Sequence, residues 1–187
     1  MRVGWPRGLE HQLVEIVESI PQKGAFVKHI TSDEIQDLFV VLKSLLSSAA
    51  KLTTEHLSAE DRKELHAIVK ELKSARKTMG HDSIIDASRD FHNFVVNACG
   101  NSLLFKLHES ILTYREKPYM LMGTMQEEDL VAIAEEPLGV SAAILKGDID
   151  EAERLMSAHL ENAGDRTLRA LTNKNLASER RKIKAVR

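Results

Sequence analysis

The chain has 187 residues, 43% of them apolar and 29% charged, a composition that fits one folded domain with a sizeable core and excludes a disordered or fibrous chain. A formal charge of -2 leaves the chain as a whole without a nucleic-acid footprint. No run approaches the roughly 18 apolar residues that span a bilayer, no apolar stretch follows Arg2 and Arg7 as it would in a signal peptide, and a single cysteine, Cys99, excludes an intrachain disulfide.

The expected setting is therefore cytoplasmic, where thiols stay reduced. Cys99 itself sits in an apolar helical stretch, where packing is the ordinary role of a cysteine.

In chain order, Leu13 to Val17, a turn-forming Pro21-Gln22-Lys23-Gly24 and Ala25-Phe26-Val27 read as a short β-hairpin. Such a ribbon is marginal in water on its own, so something should pack against it. Thr31 with Glu34 three residues later reads as a capping box, followed at helical spacing by Ile35, Leu38, Leu42, Leu45, Leu46 and Ala49. Ser58 with Asp61 opens a second helix, with an apolar stripe of Leu65, Ile68, Val69 and Leu72 and an end near Gly80.

A third helix is predicted from about Ser83 to Cys99. After Gly100-Asn101, a fourth carries Leu103, Leu104, Leu107, Ile111 and Leu112 and stops before Pro118. The fifth spans roughly Glu127 to Lys146 with Pro137 inside it, which predicts a kink or break because proline lacks the amide donor and crowds the preceding turn. Asp148 with Glu151 caps a last helix whose face carries Ala152, Leu155, Met156, His159 and Ala163. Beyond Lys174 come Arg180, Arg181, Lys182, Lys184 and Arg187 against the single acid Glu179, which reads as a frayed, solvated basic tail.

The fold class expected is all-α: an antiparallel bundle of about six helices preceded by the hairpin. Two histidines, His92 and His159, fall on the apolar faces of separate helices. Interior imidazoles are either satisfied core groups or a site for a metal or an acidic ligand.

From about Leu9 to Leu171 this pattern resembles the FCD effector-binding domain of GntR-type bacterial transcription regulators of the FadR branch. Pro21 to Val27 is similar to the end of the wing in that family's winged helix-turn-helix, and Arg7 to Glu15 resembles the end of its recognition helix. A full reader would need about fifty more residues upstream, including the helices that enter the major groove. Met1 begins inside or after that helix, Pro6 would disturb what remains, and Val17-Glu18-Ser19 looks inserted relative to the usual wing. The resemblance thus implies a reader remnant over 1–30, an FCD-like domain over 31–172 and a basic tail over 173–187.

Many FCD domains hold a divalent metal such as zinc or nickel through an aspartate, a histidine four residues later and two more histidines on the last two helices. His92 matches the first histidine and His159 the last, whereas Ser88 stands at the aspartate position and Pro137 at the middle histidine. Asp90, two residues from His92, projects to nearly the opposite face. Glu135 or Glu136 could turn inward if Pro137 unwound its turn. With two of four ligands missing, the reading favours no bound metal, since stable zinc sites need the full set.

The family's carboxylate-binding arginine on the first helix is replaced by Leu42, with Leu46 at the neighbouring glutamate position. Bidentate capture of an acid there is lost. Lys43 lies one position off the apolar stripe, on the solvated side.

The expected function is a non-enzymatic sensing and dimerising domain, taking a small, carboxylate-type effector in a pocket of Ser88, His92, His159, Leu42 and Pro137, with His92 and His159 the only remaining metal ligands. It would work as a homodimer, or as a heterodimer with a related regulator. DNA would be a partner only if a reader is supplied, and a membrane is not one. The alternative is a non-sensing interaction module that dimerises with an intact regulator. Catalysis is excluded because two histidines without a second carboxylate on their faces supply no poised nucleophile or base.

Overall fold

The computed structural model describes residues 17–20, 24–27, 31–111 and 125–185, with side chains for 31–111 and 125–174. Strand β1 (Val17–Ile20) pairs antiparallel with β2 (Gly24–Val27), with Val17 opposite Val27 and Ile20 opposite Gly24. The expected hairpin is present, its first strand lying later in the chain than the apolar run suggested. The recognition-helix resemblance at Arg7 to Glu15, the turn residues Pro21 to Lys23, and the expected helix end at Leu112 and Pro118 lie outside the described residues.

Among the described residues six helices follow: α1 (Ser32–His56), α2 (Ala59–Thr78), α3 (His81–Ala98), α4 (Ser102–Ser110), α5 (Glu127–Lys146) and α6 (Ile149–Ala185). Their starts are chemically marked. Thr31 and Glu34 exchange side-chain and backbone hydrogen bonds at the head of α1, and Ser58 and Asp61 do the same for α2, so each box satisfies two backbone donors that a helix start leaves open. Asp148 accepts from the Glu151 amide at 3.2 Å as α6 begins.

At the end of α2 it is Met79, not Gly80, that takes the left-handed conformation, with φ 52°. Gly147 does so after α5 at φ 75°, its amide donating to the last turn.

The connections between α1 and α2, α2 and α3, and α5 and α6 are only a few residues long; α2 and α3 pack together, as do α5 and α6, while α1 packs on α6 and α3 rather than on α2. Cross-helix pairs trace the result. Lys43 meets Glu161 while Lys51 meets Glu153, so α1 and α6 run in opposite directions, and theirs is the most extensive packing in the bundle. Along α2 and α5, Arg62 bonds the Leu145 carbonyl at 2.7 Å and Arg76 meets Glu135, again antiparallel.

One core joins all of these helices, with Leu42, Leu46, Leu65, Leu72, Ile84, Phe91, Val140, Ile144 and Met156 among its most enclosed members. Burying a side chain of this size contributes about 1.5–3 kcal/mol, so this shared interior is what holds the short helices in place. Cys99, 1% exposed, packs in it, and its Sγ accepts from the Asn101 amide. The buried Thr53 hydroxyl donates to the Val95 carbonyl at 2.7 Å and pins the end of α1 to α3.

Two expectations are corrected. Pro137 is buried inside α5 without breaking it: the helix continues from Glu127 to Lys146, and the hydroxyl of Ser141 donates to the Pro137 carbonyl at 2.8 Å. Surrounding packing thus overrides the local cost of the missing amide. And the backbone of the basic segment is not frayed, because α6 runs on as helix to Ala185. Among the described residues no helix is long and apolar enough to cross a membrane.

Candidate functional site

Helix α3 turns Ser88 and His92, one turn apart, into the interior, where they are 1% and 6% exposed. Helix α6 delivers His159, which is 3% exposed, to the same place, and the two Nε2 atoms stand 2.9 Å apart in a direct hydrogen bond. Their rings lie nearly parallel, with centroids 5.1 Å apart and planes 23° apart. Phe91 packs obliquely beside His92, at a centroid distance of 5.5 Å.

The other ring nitrogen of His159 faces a carboxylate. Nδ1 lies 2.7 Å from Glu136 Oε2. An ionised carboxylate only accepts, so His159 carries its proton on Nδ1. In the neutral ring its Nε2 then accepts from the Nε2–H of His92. A directed chain results, from α3 through α6 to α5.

Glu136 is the centre of the arrangement. Arg166 grips both of its oxygens, Nη1 to Oε1 at 2.9 Å and Nη2 to Oε2 at 2.6 Å, and Asn162 Nδ2 donates to Oε1 at 2.9 Å. Burial, the largest single influence on this carboxyl, pushes its pKa up. The hydrogen bonds from His159 and Arg166, with their charges, together outweigh it and bring the value down from 4.5 to about 2. Glu136 is therefore a fixed anion across the ordinary pH range.

The residues singled out in the sequence divide accordingly. The structure brings His92 and His159 together. Ser88 lies one turn from His92 on α3, Leu42 is a 4% exposed core residue of α1, and Pro137 is buried in α5 directly after Glu136. Asp90 is exposed, as its phase requires, and Lys43 is a surface residue paired with Glu161. Of the two glutamates, Glu135 turns outward to Arg76 on α2. Glu136 reaches inward with no unwinding of α5, because the geometry between α5 and α6 already brings His159 within its reach.

Arg166 and Asn162 were not anticipated. Their signal was present: they follow His159 by seven and three positions, which keeps them on or beside its face, and an arginine on an apolar stripe needs a buried partner.

These residues do not suit a zinc or nickel ion. Two nitrogen ligands of one tetrahedral zinc sit about 3.3 Å apart, wider than the His92–His159 contact. Glu136 approaches His159 from the far side of the ring and is already neutralised by Arg166. Among the described residues no group of three or more histidine, cysteine or acidic side chains is placed to hold a metal ion. What the arrangement can do is bind and orient polar groups and hold a proton at a defined nitrogen.

A family model described as the FCD domain matches residues 37–162. Among solved structures, the metal-free FCD domain of TM0439 superposes with a TM-score of 0.66 at 18% identity, over 78% of this chain and 99% of that one. Its Zn2+-bound form gives 0.61 at 18% identity, over 77% and 98%. The E. coli protein McbR/YncC gives 0.72 at 16% identity, over 89% of this chain and 77% of its own. Identities this low show a shared fold. No curated protein matches the chain in sequence.

Proposed function

The chain belongs to the FCD domain family, and from that membership we propose that it is the effector-sensing and dimerising portion of a GntR-type transcription regulator, taking a small carboxylate-type metabolite without a metal. Domains of this family are regulatory rather than enzymatic.

One observation carries the reading. A connected polar chain spans three helices, with His92, His159 and Arg166 buried, Glu136 22% exposed and Asn162 reaching in from the surface. Burying such groups is costly, and an apolar core of the same shape would be about as stable or more so, so their presence fits selection for recognition. Ser88, Leu42 and Pro137 would complete the pocket wall.

The test is metal content by elemental analysis of the purified chain, joined to thermal melting with and without EDTA and across a panel of small organic acids. The reading expects substoichiometric metal, no EDTA effect and a melting temperature raised by at least one acid. A panel without any response would overturn it.

A second reading, a non-sensing module that dimerises with an intact regulator, is supported by the leucine at position 42, the serine at 88 and the proline at 137. It predicts no ligand response and co-purification with a full-length relative. Under either reading DNA recognition would belong to a winged helix-turn-helix and not to the helical bundle.

A further inference from the structure

The donors around Glu136 are arranged as they would be around a bound ligand. Its two oxygens receive four hydrogen bonds, from His159, Asn162 and both terminal nitrogens of Arg166, all within 2.6–2.9 Å. That is close to the full accepting capacity of a carboxylate. Every donor is on α6, so that helix alone forms the cradle and α5 contributes only the anion. A structural ion pair needs one or two such contacts; here a complete recognition set converges on one group.

We infer that His159, Asn162 and Arg166 form a carboxylate-binding site that Glu136 occupies from within the chain, so that a small carboxylic acid enters by displacing Glu136.

Three features make the exchange physically accessible. Arg166 and His159 are 5% and 3% exposed, but the Glu136 side chain is 22% exposed, so the anion lies at the solvent side of the cradle. Pro137 follows it directly and cannot donate to the carbonyl one turn back, so this turn of α5 has one backbone hydrogen bond fewer. And the Nε of Arg166 is buried with no hydrogen-bond acceptor among the described residues, leaving the guanidinium one donor that Glu136 does not use. Occupancy would be felt beyond the cradle, because His159 passes its hydrogen bonding on to His92 in α3.

The inference deepens the sensing function proposed above by naming its site and competitor, and it rests on that reading for its biological use. The occupancy itself is testable separately. Glu136→Ala should leave the cradle open, and acetate or propionate should then raise the melting temperature by roughly 5 °C or more once in large excess over its dissociation constant, relative to equal chloride. Wild type should need on the order of tenfold more acid, because the tethered glutamate competes at high local concentration. Glu136→Ala combined with Arg166→Gln should lose the response.

Should Glu136→Ala be unfolded, acetate is expected to restore helical circular dichroism. A folded variant indifferent to acetate, an unfolded one that acetate does not rescue, an equal effect of chloride, or a response that survives loss of Arg166 would each overturn the inference. An acetate response in Glu136→Ala with no acid sensed by wild type, even in large excess, would uphold the cradle but overturn the displacement of Glu136, and sensing with it. A wild-type response with an inert Glu136→Ala would uphold sensing and overturn the cradle.

Discussion

The Nε2 atoms of His92 and His159 stand 2.9 Å apart and join α3 to α6 by one hydrogen bond in the interior. Each histidine is thus the other's partner, and removing one strands a buried polar atom. His92→Leu is expected to cost about 1–3 kcal/mol. The double replacement by leucine should recover part of that, with a coupling energy of roughly 0.5–3 kcal/mol in a urea-unfolding cycle. Strictly additive losses would show that the bond carries no weight.

The ion pair between Glu136 and Arg166 should show the asymmetry of buried charges. Arg166→Met leaves a carboxylate with only His159 and Asn162, and is expected to cost about 3–5 kcal/mol. Replacing both, with Glu136→Leu added, should restore most of the stability, since the desolvation cost disappears with the charges. Chemical denaturation of the three variants measures this. A double variant worse than Arg166→Met would contradict it.

Acid should weaken the bundle through the same carboxyl. Its folded pKa, about 2, lies below the ordinary 4.5, so the folded state favours the ionised form. The stabilisation is therefore complete above about pH 5 and is lost as pH falls through about 2, amounting to something on the order of 3 kcal/mol. Glu136→Gln should remove that part of the acid sensitivity while other carboxylates continue to titrate. Unfolding free energies of the two proteins, compared over this range, should converge towards low pH; parallel curves would refute the assignment.

Gly164 sets how closely α1 and α6 approach. A Cβ built there would lie 3.1 Å from Phe39 Cγ and 3.2 Å from its Cβ, so the ring and helix must give way to any side chain. Alanine gains about 1 kcal/mol of helix propensity against this crowding, whereas Gly164→Val should be destabilising by about 1–3 kcal/mol through overpacking. Adding Phe39→Leu should recover part of the loss. A valine variant as stable as wild type would mean that the helices separate at no cost.

Local chemistry made most of the fold legible. Thr31 with Glu34, Ser58 with Asp61 and Asp148 with Glu151 announced helix starts because a cap is a contact within four residues, and the heptad-like stripes fixed which faces turn inward. Pro137 misled for the same reason: its local cost is real, but a buried position and an otherwise intact helix absorb it. In the site, His92 and His159 could be seen as inward-facing, yet their contact could not. It depends on the rotation and offset of α3 against α6, which no single helix encodes. Glu136 and Arg166 show this most clearly, since each reads as an anomaly alone and as a pair only when α5 and α6 are side by side.

Helix α6 contains both the cradle and the basic end of the chain in one unbroken rod of 37 residues. From Arg166 to Ala185 it extends about 28 Å at the usual rise. Beyond the cradle, Ala170 and Leu171 pack with Ile35 of α1 and Arg169 donates to Asp129 of α5 at 2.8 Å, so the turn past Arg166 is still fixed to the bundle. The backbone that carries the chain's most cationic segment is thus aimed by the bundle itself, in the direction that the packing of α6 on α1 sets.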